Sequence, residues 1–289
     1  PSSRDYRLGD DVYVLLSLPD DPQRYPVAGK VAWITPAKAQ GARTQGVGIR
    51  FPADEKSRLL KIKIEEIKPS TRQNPYLRFE QARKLYRSAV TVEGLSFRYP
   101  GADADVFSNL GFTIEAEDRV AIIGPNGIGK TTLMKCLAGE LTPTAGRITW
   151  VENAQPGYMP QDPQAEFESK IDLFGWMSQW TGKADDDQLV RATLGRLLFS
   201  GDEVKKPVKV LSGGKKGRMI YGKLILTKPN VLIMDEPTNH MDMETIESLQ
   251  IGLEKYPGTL VFVSHDREFV GSLATRVIEL RPDGGINDF

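Results

Sequence analysis

The stretch Val120-Ala121-Ile122-Ile123 followed by Gly124-Pro125-Asn126-Gly127-Ile128-Gly129-Lys130-Thr131 constrains this chain more than any other. The apolar run reads as a buried strand, the glycines as a tight turn, and the residues through Leu133 and Leu137 as a helix. A loop of the form G-x-x-x-x-G-K-[ST] aims successive backbone N–H groups at one point, at a helix N-terminus whose partial charge favours an anion. In such a loop Lys130 reaches the outer phosphates of a nucleotide and the Thr131 hydroxyl is placed for Mg²⁺. Strand, loop and helix agree, which leaves an exposed tight turn as the weaker reading.

A cation on Thr131 needs a second protein oxygen on a facing strand, and Val231-Leu232-Ile233-Met234-Asp235-Glu236 supplies one. Four apolar residues bury that strand and deliver Asp235 at its carboxyl end, where open α/β sheets bind ligands. Glu236 follows where an attacking water would stand, as a candidate general base. Alone, an Asp-Glu pair at a strand end is a solvated turn; beside Lys130 it becomes chemistry.

Ser212-Gly213-Gly214 opens a second helical segment and offers glycines and a hydroxyl at another helix N-terminus. One triphosphate needs one cradle, so a second cradle suggests a site completed across two copies. His265, in Ser264-His265-Asp266, ends the apolar run Thr259 to Val263 and reaches a γ-phosphate if that strand lies beside the Asp235 strand. Trp176 and Trp180, at i and i+4, suit a packed helix face; Met219, Met234, Met241 and Met243 read as core fillers, and Cys136 as a small buried hydrophobe.

Composition narrows the class. Lys plus Arg and Asp plus Glu are 38 each, so contact with a polyanion must come from local patches. No apolar run approaches the roughly 20 residues of a spanning helix, so no membrane insertion is expected. One cysteine permits no internal disulfide and fits a reducing, cytoplasmic setting. From Ala89 on, strand and helix patterns alternate, the mark of an α/β core with a largely parallel sheet. Upstream, Val12, Val14 and Leu16 alternate, and Val27 to Ile34 and Gly46 to Phe51 follow after turn-rich segments, which predicts a small antiparallel β module over 1–55. Residues 56–88 turn basic, with Lys61, Lys63, Lys68, Arg72, Arg78, Arg83, Lys84 and Arg87. They read as a solvated connector with a short helix over Ile62 to Ile67 and extended chain past Asn74-Pro75; a surface meeting phosphates is the alternative.

Together these residues resemble the ATP-binding cassette superfamily over about Ala89 to Phe289. Gly124 to Thr131 is similar to its Walker A loop, Leu211-Ser212-Gly213-Gly214-Lys215 to its signature, and Val231 to Glu236 to its Walker B strand with catalytic Glu. Asn239-His240-Met241-Asp242 resembles its D-loop, His265 its switch histidine, Gln161 its Q-loop, and Tyr99 in Phe97-Arg98-Tyr99 its adenine-stacking aromatic. Within it, Asp235-Glu236-Pro237-Thr238-Asn239-His240 and Ser264-His265-Asp266-Arg267-Glu268-Phe269 resemble the second cassette of the ABC-F subfamily, twin-cassette ATPases acting on the ribosome. Lys215 departs from the usual Gln or Glu, and Met241 from the usual Leu. Residues 1–55 resemble instead part of a PilZ domain of the type IV pilus assembly kind, through Tyr6-Arg7-Leu8-Gly9-Asp10, Pro26 to Pro36 and Gly46 to Phe51. They lack R-x-x-x-R and [DN]-x-S-x-x-G, so cyclic di-GMP binding does not follow, and a join of unrelated pieces near residue 56 does.

The resemblance implies a P-loop NTPase cassette with a helical subdomain, preceded by a partial PilZ-like barrel. ATP would bind with its base at Tyr99 and its phosphates on Gly124, Asn126, Gly127, Gly129, Lys130, Thr131 and Thr132. Mg²⁺ would sit on Thr131 and Asp235 with Gln161 in reach, and Gln161, Glu236 and His265 would serve catalysis. Ser212, Gly213 and Gly214 would close over ATP held by a second cassette, in trans or in a homodimer. The basic connector would meet ribosomal RNA. A transporter ATPase subunit and a PilZ-like pilus adaptor with a passive cassette are the competing readings.

Overall fold

The computed structural model describes residues 7–17, 24–35, 46–50, 52, 74–181 and 187–289. The helix expected over Ile62 to Ile67 lies outside them. The chain divides into two compact units, Pro1–Thr71 and Arg72–Phe289.

The first unit is a three-stranded antiparallel sheet in which β1 (Asp11–Ser17) and β3 (Gly46–Arg50) flank β2 (Arg24–Thr35). The expected alternation sets Val27 and Val31 inside and leaves Tyr13 exposed. The register of β2 against β3 slips between Val31 and Trp33, a bulge.

The second unit begins as extended chain. In residues 74–80 Pro75, Leu77 and Phe79 are buried and alternate with exposed Tyr76 and Arg78. Leu77 and Phe79 join the main core, and Tyr76 N–H donates to the Arg196 carbonyl at 2.8 Å. The extended chain expected past Asn74-Pro75 is present, but over residues 74–80 it is docked rather than solvated, because a period-two apolar pattern lies inside the basic composition.

An antiparallel sheet follows, β5 (Phe107–Glu115), β4 (Ser88–Phe97) and β7 (Ala145–Trp150) in that order. The central sheet runs β12-β11-β6-β10-β9-β8. Its members are β6 (Arg119–Ile123), β8 (Pro156–Met159), β9 (Val231–Asp235), β10 (Thr259–Val263), β11 (Arg276–Leu280) and β12 (Ile286–Asp288). Pairing is parallel throughout except between β11 and β12. Every residue of β9 and β10 is buried, which is why both read as continuous apolar runs.

The helices are α1 (Lys130–Leu137), α2 (Leu173–Ser178), α3 (Asp187–Arg196), α4 (Gly213–Thr227), α5 (Met243–Glu254) and α6 (Arg267–Leu273). Asp172, Asp242 and Asp266 cap α2, α5 and α6 through their side chains. Trp176 is buried and stacked on Phe167 at 4.7 Å, with Trp180 edge-on, so the tryptophans are packing residues as expected. Cys136 is buried and its thiol pushed up to about 11 by desolvation, which leaves it inert. Met243 is not a core filler: it stands 76% exposed on the first turn of α5.

Candidate functional site

β6 ends at Ile123, and the chain turns at Gly124 and Gly129 into α1. Gly129 has φ 109°, and a Cβ there would lie 2.5 Å from Val106, so glycine is required on both counts. Lys130 is buried, and its ammonium reaches back across the loop to the carbonyls of Gly124 (2.9 Å) and Pro125 (3.0 Å). It thereby spans the mouth of the loop, where a phosphate would compete for its protons. The Tyr99 hydroxyl lies 3.0 Å from the Thr132 hydroxyl, and the Tyr99 ring stands edge-on to Phe97 at 4.9 Å.

Across the sheet, Asp235 is fully buried at the end of β9. Burial raises its pKa most, with Glu236 adding to the rise; Thr131 is the largest influence the other way, ahead of Lys135 and Lys130. Neither carboxylate oxygen has a hydrogen-bond partner among the described residues. Two orphaned buried oxygens facing a threonine hydroxyl fit a hard divalent cation completed by phosphate oxygens, and no larger cluster of acidic or metal-ligating residues lies among the described residues. The buried Tyr158 hydroxyl is also unpartnered, and burial together with the Asp235 charge pushes its pKa up. Sequence reading passed over Tyr158; its place on β8, beside β9, is the signal that singles it out.

Glu236 has φ 50°, an unusual backbone for a non-glycine residue. Its N–H donates to the Val263 carbonyl (3.0 Å), and its Oε2 accepts the His265 N–H (3.3 Å). His265 Nε2 lies 3.3 Å from Glu236 Oε1, and the imidazole is largely exposed. The condition set on His265 is met, because β10 pairs with β9 and Val263 sits opposite Asp235. A water held near Glu236 can therefore lose a proton to a carboxylate held at one oxygen by the His265 N–H, while its buried Oε1 lies near His265 Nε2 with no hydrogen bond among the described residues.

A cavity of about 520 Å³ brings together Tyr99, Asn126, Gly127, Gly129, Lys130, Thr131, Thr132, Gln161, Asp235, Glu236 and His265. Gly124 stands behind it as the acceptor for Lys130. Ser212, Gly213 and Gly214 are not in this space; they line a separate cavity of about 600 Å³ with Lys215, Arg218 and His240. The Ser212 hydroxyl makes no capping bond to α4, and a Cβ on Gly214 would lie 2.9 Å from the His240 carbonyl oxygen.

Residues 107–239 match the family described as ABC transporter. The ATP-binding protein YbiT of Escherichia coli O157:H7 is 54% identical over 255 residues, covering 85% of this chain and 48% of YbiT. ABC transporter F family member 2 of Arabidopsis thaliana is 38% identical over 238 residues, 80% of this chain and 34% of the relative. The chain thus spans about half of YbiT and a third of the plant protein. Among solved structures, a dimeric post-hydrolysis state of the cassette MJ0796 with ADP and Pi superposes with a TM-score of 0.57 at 18% identity, covering 69% of this chain and 97% of that one. That likeness speaks for the fold alone. The PilZ resemblance of residues 1–55 finds no support in these matches. By motif order and family match, residues 107–239 are an ATP-binding domain of the kind described as ABC transporter, and the fold agrees with that match.

Proposed function

We propose that the chain binds MgATP around Lys130 and hydrolyses it only when the Ser212–Gly214 cavity of a second cassette closes over the nucleotide. The observation that carries this is the division of the site: the two cavities share no lining residue within one chain. The Tyr99 ring supports the base. Lys130 exchanges the Gly124 and Pro125 carbonyls for phosphate oxygens, and the loop N–H groups hold the rest. Thr131 and Asp235 would hold Mg²⁺, with Gln161 beside them; the ion supplies neutralisation of charge on the transferred phosphoryl group. Glu236 takes a proton from the attacking water while His265 keeps the carboxylate in place. Positioning and charge do most of the work in such a reaction.

The F-family name of the plant relative supports an ABC-F assignment; with that assignment go the ribosome as proposed partner and the cytoplasm as proposed location. At 85% of the chain, the YbiT match extends upstream of Ser88 into the connector. Arg78, Arg83, Lys84 and Arg87 would meet RNA phosphates there, although Arg78 and Lys84 already pair with Glu80 and Glu117. Among the described residues no helix is long and apolar enough to cross a membrane. A transporter subunit and a pilus adaptor built on the 1–55 sheet are the readings this proposal competes with.

The test is ATPase rate per molecule against protein concentration. The rate should climb with concentration and vanish on dilution, and a rate that stays high at extreme dilution overturns the composite site. Sedimentation with ribosomes is expected; sedimentation with membranes instead would favour the transporter subunit.

A further inference from the structure

A third cavity, of about 350 Å³, lies where the loop after β8, the turn after β9 and the first turns of α4 meet; its wall includes Gln161, Gln164, Lys216, Glu236, Asn239 and Met241. Gln161 and Glu236 line the nucleotide cavity too, so the two spaces adjoin at the catalytic carboxylate.

Lys216 sets this space apart. It is only 6% exposed, and its ammonium donates to Gln164 Oε1. Two other lysines of α4 have carboxylate partners, Lys215 with Glu203 and Lys223 with Glu166 at 2.7 Å. Among the described residues Lys216 has none within ion-pair distance. An ammonium carries three donors, and one amide oxygen answers one of them. A buried cation without a counter-charge is costly, and an anion entering the cavity removes that cost. Of the two acids on the wall, Asp162 accepts the Gln164 N–H at 2.9 Å and Glu236 Oε2 accepts the His265 N–H at 3.3 Å.

We infer that this cavity is an oxyanion subsite in which Lys216 holds inorganic phosphate, either the γ-phosphate just cleaved or phosphate taken from solution. The oxyanion site stands on Lys216 itself; its use as a product exit rests on the proposed hydrolysis at Glu236. In that reaction the water oxygen bonds to the γ phosphorus, its proton passes to Glu236, and the bridging oxygen leaves with the electron pair on ADP. The phosphate so formed passes to the Lys216 ammonium across the wall that the two cavities share at Gln161 and Glu236. The volume accommodates a phosphate together with water.

The full chain is loaded with Mg²⁺ and a non-cleavable ATP analogue, which fills the γ position, and inorganic phosphate is titrated in by calorimetry. Wild type should bind phosphate at millimolar concentration, Lys216→Arg within threefold of it, and Lys216→Gln at least tenfold more weakly. Gln164→Glu, which gives Lys216 a carboxylate at an exposed position, should also abolish binding and covers the case in which Lys216→Gln does not fold. Absence of phosphate binding in the loaded wild type, or binding by Lys216→Gln and Gln164→Glu equal to that of wild type, overturns the subsite. Failure of the analogue itself to bind overturns the nucleotide reading instead, a separate readout. In a single turnover, phosphate from cleavage should appear in solution after a lag that Gln164→Glu removes; binding without a lag assigns the site to phosphate from solution.

Discussion

The cavity around Lys130 and the cavity around Ser212 use the same devices, glycines and the start of a helix, yet among the described residues the first gathers the groups proposed for catalysis. At Lys130, buried Asp235, strained Glu236 and His265 converge from the ends of two neighbouring strands. At Ser212 the wall holds Lys215, already paired with Glu203, together with Arg218, His240 and Asp242, a mixed polar surface with no buried orphaned carboxylate among the described residues. A strand end fixes its residue to within the sheet's rigidity, and this precision is what chemistry needs; a helix start on the surface needs only to dock.

The largest effect that would sharpen this contrast is on Glu236. Glu236→Gln should lower hydrolysis by about 10²- to 10⁴-fold, the usual worth of a general base, with nucleotide affinity within a few-fold of wild type. Single-turnover kinetics and equilibrium binding check it, and retained turnover would break the assignment. Gly214→Ala comes next. The added methyl meets the His240 carbonyl and displaces the second cradle, so hydrolysis at high protein concentration should drop roughly 10- to 100-fold while ATP binding to the dilute chain is unchanged. Parallel loss of binding would mean that the two cavities are not separate halves.

The smallest effect is thermal. Burial holds the Asp235 pKa above its ordinary value of 3.8. A carboxyl raised in the folded state contributes stability below 3.8 and loses it as pH rises through the raised value, so at neutral pH the ionised group is a burden on the nucleotide-free fold. Asp235→Asn should therefore raise the melting temperature without nucleotide by a few degrees at neutral pH, with the gain shrinking as pH falls. It should also erase the extra stabilisation that Mg²⁺ adds to ATP. Differential scanning at several pH values measures both, and a lower melting temperature would contradict the burial cost.

Much of the nucleotide cavity's lining is legible in the sequence because its residues are sequence neighbours at strand ends: Lys130 and Thr131 after β6, Asp235 and Glu236 after β9, His265 after β10. The buried strands announced themselves as unbroken apolar runs, and their parallel order followed from the intervening helices. What escaped depends on distant pairs. Lys216 meets Gln164 across 52 residues, and Tyr99 meets Thr132 across 33, separations at which no local pattern reports contact. Tyr158 has no mark in the sequence, and the pairing of β8 with β9 is what places it near Asp235. Residues 74–80 were misjudged because positive charge outweighed the alternation of Pro75, Leu77 and Phe79. Met243 was misjudged because a methionine at a helix start carries no mark of which way it faces.

The docked segment carries one more consequence. Phe79 lies edge-on to Tyr221 at 6.4 Å, and the buried Tyr221 hydroxyl donates at 2.6 Å to the carbonyl of Pro237, the residue after Glu236. Phe79, Tyr221 and Pro237 thus make one continuous packed path from the docked segment to the peptide that follows Glu236, so loosening either end exposes the other to rearrangement.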